Sequence, residues 1–208
     1  MGEPRRVGRP RAASRAMLEE AACELFLEQG YAATSVADIT RRAGVSRATF
    51  FNYVPAKSDL LWTSVDDALT RLEDHLRDMP AGGTGRDAAV ADPRAALHAV
   101  AAELEPGSVV LAFANAEPMG VVEELEESAA RRQSRAGRII AQHLGRRGVD
   151  DLTADVLGTA LAGAFLSALR HWSRLPVPRA PFARVLADAL DVLAPAAPAA
   201  RGGTHGAG

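Results

Sequence analysis

Apolar residues recur at intervals of three and four along most of this chain, the spacing of helices rather than strands. Met17, Ala21, Leu25 and Phe26 share one face of a first helix, with Glu19, Glu20, Glu24 and Glu28 opposite. Ser14 is its expected N-cap and Gly30 its stop. Val36, Ile39 and Ala43 predict a short second helix, capped by Thr34 or Ser35 and ended by a left-handed Gly44. Ser46 caps a third helix from Arg47 to Val54, closed by Pro55 because the residue before proline avoids helical geometry. A fourth opens near Ser58 and carries Leu60, Leu61, Val65, Leu69, Leu72 and Leu76.

Residues 79–92 read as a Gly/Pro/Ala linker. Pro93 suits the first position of a helix reaching about Glu105, which Pro106 and Gly107 break. A short apolar segment runs from Ser108 to Ala114. Pro118 opens a long charged helix through about Leu144, ended by Gly145 and Gly148. Asp150 or Asp151 caps the most apolar helix, to about Trp172, and a last helix runs from about Pro181 to Leu193. The pattern predicts an all-α chain of about nine helices, with a basic arm over 1–13 and a disordered tail over 195–208.

Composition supports helices over strands, since alanine is abundant and aromatics make up only 5%. A single cysteine, Cys23, excludes an internal disulfide framework. The basic start is not followed by an apolar run, and the longest apolar stretch, Val156 to Leu169, is too short to span a bilayer, so a cytoplasmic location without membrane association is expected. Charge is unevenly divided. Residues 1–57 carry nine Lys and Arg against six Asp and Glu, whereas 58–208 carry fifteen against twenty. A basic end on an acidic body points to a polyanion-binding module joined to something else. Lys57 is the only lysine in the sequence.

The second helix, Gly44 and the third helix form a helix-turn-helix pattern. The surrounding string fixes Phe26, Gly30, Tyr31, Thr34, Ser35, Val36, Ile39, Ala43, Gly44, Val45, Ser46, Thr49, Phe50, Tyr53, Lys57 and Leu60 at the spacing of a known pattern. It resembles the N-terminal domain of the tetracycline-repressor (TetR) family of bacterial regulators, over about residues 14–62. Phe51 stands where tyrosine is common, and Val54 replaces the usual phenylalanine.

The resemblance implies a three-helix DNA-binding domain over 14–57 and a ligand-binding, dimerising helical bundle over 58–194. Helix three then lies in the major groove, with Ser46, Arg47, Ala48 and Thr49 toward the bases. Arg47 either reads a guanine or binds a phosphate. Thr49 touches a base edge or bonds its own helix. Phe51 offers apolar contact only, Asn52 is a further base-reading candidate, and Tyr53 keeps a hydroxyl for phosphate. Thr34 or Ser35 presents backbone N–H groups to a phosphate, and Lys57 is expected to meet the backbone as a point charge. Arg9 and Arg11 of the arm either enter an A·T-rich minor groove or simply keep a tail soluble.

By the same resemblance, the final two helices pair with those of a second copy through Leu157, Leu161, Phe165, Leu169, Val185 and Leu186; the alternative is burial within their own chain. Trp62, His98, Phe113, Asn115, Met119 and Trp172 are candidates for an effector pocket, or plain core. The string TFFNYVPAKSDLLW resembles that of mycofactocin-type regulators, a subgroup that recognises acyl-CoA-type ligands. The histidines show no metal-ligand spacing, and neither a nucleophile elbow nor a phosphate-binding loop occurs, so neither cofactor nor catalysis is expected. The expected function is a dimeric, ligand-responsive repressor of transcription; the alternative is a helical dimer that binds ligand without DNA.

Overall fold

The computed structural model describes residues 11–79, 86–105 and 107–193, and among them the regular structure is helical throughout. The helices are α1 (Arg11–Gln29), α2 (Val36–Ala43), α3 (Arg47–Phe51), a 3₁₀ helix (Lys57–Trp62), α4 (Thr63–Asp78), α5 (Arg86–Ala102), α6 (Ser108–Ala114), α7 (Ala116–Met119), α8 (Val122–Arg146), α9 (Asp151–Ser173) and α10 (Phe182–Asp191). Most of the basic arm with Arg9, part of the expected linker, and the tail over 195–208 lie outside the described residues.

Helices α1 to α3 form an N-terminal head around Phe26, Ile39, Ala43 and Phe50. The remainder is a bundle in which α8 and α9 pack along each other, α10 lies on α9 and α5, and α4 lies between α5 and α8. Head and bundle share one continuous core, because α1 also packs on the 3₁₀ helix, α6 and α7. A backbone bond from the Tyr31 N–H to the Met119 carbonyl, 2.8 Å, ties the α1–α2 loop to the bundle.

Local signals placed several boundaries as expected. Ser35 caps α2 in a reciprocal box: its hydroxyl accepts from the Asp38 N–H, and the Asp38 carboxylate accepts from the Ser35 N–H. Gly44 adopts φ +65°, a conformation costly for any residue with a Cβ. The Asp150 carboxylate caps α9 by accepting from the Thr153 N–H at 3.0 Å.

Other boundaries differ. α1 starts at Arg11, so residues 11–13 of the expected arm belong to the helix and Ser14 lies inside it rather than at its cap; alanines on both sides of Ser14 favour continuation. α3 ends at Phe51, with Asn52 as C-cap, instead of reaching Val54. The fourth helix is preceded by a 3₁₀ turn. α5 begins seven residues before Pro93, which therefore sits inside the helix. Pro118 falls within the single turn of α7, and Gly120 at φ +64° separates it from α8.

The α9 and α10 side chains expected at a dimer interface lie at different depths within the chain itself. Leu161, Phe165, Leu169 and Leu186 are buried within their own chain. The Phe165 ring meets Phe182 edge-on at 5.5 Å, so α9 spends its bulkiest residues on α8 and α10. Leu157 and Val185 are only half-buried. α9 is long and apolar enough by composition to cross a membrane; 44% of that apolar stretch is buried in this bundle, against α8 and α10 above all.

Candidate nucleic-acid interface

Helix α3 is barely more than one turn long, and two contacts decide which way it faces. Phe50 is fully buried and Val54 nearly so, which pins the inner side of the turn to the head. Arg47, Ala48, Phe51 and Asn52 are consequently exposed, and Thr49 and Tyr53 half-buried. Ser46 caps the helix by accepting from the Thr49 N–H at 3.0 Å. The two hydroxyls of Ser46 and Thr49 also bond each other at 2.8 Å, so Thr49 is partly committed to its own helix. Phe51 is 48% exposed, and its ring packs edge-on against Phe50. The Arg47 guanidinium lies 5.6 Å from the centre of the Phe51 ring, held one turn away on the same side.

Among the described residues, the other cations near this surface are occupied. Arg41 pairs with Asp38 on its own helix. Arg42 bridges Glu24 at 2.9 Å and Glu28 at 2.7 Å, fastening α2 to α1 and holding the Glu28 carboxyl below its ordinary pKa. Among the described residues Arg47 has no acidic partner, so this exposed cation on the recognition turn is left to a phosphate or a base.

At the start of α2 the two capping candidates separate. Thr34 is buried, and its hydroxyl donates to the Gly30 carbonyl at 2.8 Å while accepting from the Gln29 amide, so it serves the loop. Ser35 is exposed at the cap itself. The Asp38 carboxyl there is held down to about 2 by hydrogen bonds from the Ser35 hydroxyl and N–H and from Arg41.

Lys57 is not the free point charge expected from the sequence. Its ammonium donates to the carbonyls of Tyr31 at 2.6 Å and Thr34 at 2.7 Å, using two of its three N–H donors. It also sits 3.9 Å from the centre of the Tyr31 ring. Burial pushes its pKa down, opposed by the Glu124 carboxylate. Lys57 thus braces the α1–α2 loop, which carries the α2 N-terminus, against the 3₁₀ helix. The sequence reading missed Tyr31 as the platform for this brace, and Asp38, whose Ser-x-x-Asp spacing was a legible capping signal.

The six candidates for an effector pocket do not converge. Trp62 and Met119 are fully buried core, and Trp62 packs edge-on against Phe113 at 5.7 Å. The Trp172 indole donates to the Ala180 carbonyl, and the Asn115 amide to the Leu111 carbonyl. His98 lies half-buried on α5. Phe113 lines a cleft of about 280 Å³ with Val122, Leu125 and Arg174.

A family model described as "Bacterial regulatory proteins, tetR family" matches residues 18–61. The chain is 30% identical over 175 residues to MftR of Mycobacterium tuberculosis, named for transcriptional regulation of mycofactocin biosynthesis; the match covers 81% of this chain and 84% of that protein. A helix-turn-helix regulator of Bacillus subtilis, YxbF, is 37% identical over 73 residues, 35% of this chain and 18% of its own. Among solved structures, Thermus thermophilus FadR, a TetR-family repressor in complex with lauroyl-CoA, superposes with a TM-score of 0.52 at 27% identity, covering 89% of this chain and 98% of FadR. A regulator from Syntrophomonas wolfei gives a TM-score of 0.58 at 16% identity, over 87% and 93% of the two chains, and so shares the fold.

Proposed function

The chain belongs to the tetR family of bacterial regulatory proteins, and from that premise we propose that it is a cytoplasmic repressor that grips a near-palindromic operator as a dimer and releases it when an acyl-type effector binds. It is a DNA-binding regulator of transcription. The observation that carries the operator reading is the exposed Arg47 on a recognition turn whose inner side is locked by Phe50. Arg47 reads a base edge in the major groove, with Ser46, Ala48, Thr49, Phe51 and Asn52 around it. Ser35 and the α2 N-terminus meet a phosphate, and Tyr53 and the third donor of Lys57 lie beside the same strand.

The dimer surface moves to the outer face of α9. Leu152 and Val156 are 75% and 58% exposed there, in line with Thr159 and Gly163 at helical spacing. Val192 and Leu193 are exposed just after α10. The acyl-type effector is favoured by the lauroyl-CoA bound in the FadR structure. Titration of a labelled promoter fragment from beside its own gene, at several salt concentrations, tests the reading. Specific binding with a steep salt slope, weakened by added lauroyl-CoA, is expected. Binding no tighter than to scrambled DNA would refute the operator reading, and binding indifferent to acyl-CoA would refute the effector class.

A further inference from the structure

Arg132 lies on the inner side of α8, far in sequence from the DNA-binding head, and its side chain is only 8% exposed. Its Nε and Nη2 donate to the two carboxylate oxygens of Asp66 on α4, at 3.0 and 2.6 Å. Nη2 donates also to Asp59 of the 3₁₀ helix at 3.0 Å, and Nη1 to the Ser128 carbonyl at 3.3 Å. The guanidinium stacks 4.8 Å from the centre of the Trp62 ring, which Phe113 supports edge-on from α6. One side chain therefore holds the 3₁₀ helix, the first turn of α4 and α8 together. The 3₁₀ helix is the segment through which α3 joins the bundle.

Two turns earlier on the same face of α8, Glu124 lies close enough to influence both Tyr31 and Lys57 of the head brace. α8 thus touches the head's mounting at two points. Arg132 is buried while Asp59 and Asp66 stay 19% and 34% exposed, so desolvation of the guanidinium and solvent at the carboxylates offset much of the attraction, and the cluster is weak as a source of stability. Its directional fork does specify one orientation of the segments it joins. A groove of about 570 Å³, lined by Asn52, Tyr53, Asp59, Thr63, Asp66 and Arg135, runs beside the cluster between head and bundle, and Arg15 of α1 pairs across it with Asp67 of α4 at 2.7 Å, so the head follows the α4 segment that the fork holds.

We propose that Arg132 is a positioning residue for DNA binding: by clamping Asp59 and Asp66 to α8 it sets the angle at which the head leaves the bundle, and hence the separation of the two recognition helices in a dimer. The inference rests on the dimeric operator reading above. Arg132 itself touches no DNA; it acts on how well two heads fit two half-sites at once.

The test measures the affinity of the full chain for three kinds of duplex from the footprinted promoter: a single half-site, the intact operator, and operators with one or two base pairs added or removed between half-sites. The variant is Arg132→Met combined with Asp59→Asn and Asp66→Asn, which leaves no unpaired buried charge; Arg132→Lys is the second variant. The triple variant should keep wild-type half-site affinity, dimer mass and thermal midpoint. Its preference for the intact operator over one half-site should fall about tenfold, and its dependence on half-site spacing should flatten. Arg132→Lys, which keeps the charge and loses the fork, should fall between it and wild type. An unchanged operator preference and spacing dependence in both variants would overturn the proposal. So would a parallel loss of half-site affinity and thermal midpoint, which is what a purely structural role gives. Wild-type protein that binds one half-site as tightly as the intact operator would instead remove the dimeric reading underneath.

Discussion

A Cβ on Gly158 would stand 2.5 Å from the carbonyl oxygen of Gly137, so α9 crosses α8 at backbone contact. The relationship is not reciprocal. A Cβ on Gly137 would meet Gly158 at an ordinary 3.6 Å. Gly158→Ala should therefore push the helices apart and cost about 1–3 kcal/mol through overpacking, whereas Gly137→Ala should be neutral or gain up to about 1 kcal/mol from helix propensity. Urea unfolding of both variants checks the asymmetry; equal effects would contradict the crossing.

The burial of α9 separates two sets of substitutions. Leu161→Glu and Phe165→Glu place a carboxylate in the core and should destabilise the chain by about 3 kcal/mol or more. Val156→Glu, at an exposed position, should leave the fold intact and yield monomers. Sedimentation together with circular dichroism distinguishes the outcomes. A folded, fully dimeric Val156→Glu protein would place the interface elsewhere.

Lys57 and Arg47 should fail in different ways. Lys57→Met keeps an apolar stem beside Tyr31 but removes the donor to the Thr34 carbonyl and leaves the Tyr31 carbonyl with the Thr34 N–H alone, costing about 1–3 kcal/mol of stability. The salt slope of DNA binding should change by less than about one unit. Unchanged stability with a slope lowered by a full unit would return Lys57 to the phosphate role.

Arg47→Ala should leave stability intact, because the side chain is exposed and its guanidinium lies over the likewise exposed Phe51 ring. On the operator it should cost about 1–3 kcal/mol and relax preference at one position in each half-site. Equal losses on operator and scrambled DNA would make it a phosphate contact.

The cap of α2 carries a pH signature. The Asp38 carboxyl is held down to about 2, below the ordinary 3.8, because Ser35 and Arg41 donate to its charged form. A depressed carboxyl stabilises the fold above its unfolded value, and that contribution is lost as pH falls from about 4 toward about 2. Asp38→Asn should reduce the acid sensitivity of the head in this window, and NMR titration of Asp38 reads the shift directly. A wild-type carboxyl titrating near 4 would contradict the cap geometry.

The helices themselves were legible in the chain. The Ser35–Asp38 box, Gly44, Ser46 and Asp150 are local signals, and each acts at the boundary it marks. The helix-turn-helix follows from them and from the spacing of Ile39, Ala43 and Phe50, all of which are buried. The two prolines differ from a simple helix-start signal for separate reasons: α5 runs through Pro93, whereas Pro118 sits in a single turn that Gly120 ends before α8 begins.

What the sequence determined by itself is therefore the helical class, the DNA-binding motif and the exposed cation at its tip, because capping, periodicity and left-handed glycine act within a few residues. What only the tertiary structure decided is where long polar side chains go and which side of an all-apolar helix is inside. Lys57 finds the carbonyls of Tyr31 and Thr34, and Arg132 finds Asp59 and Asp66, across long separations in the chain. α9 is apolar on most sides, so periodicity alone did not say whether Leu161 or Val156 would face its own bundle; packing against α8 and α10 did.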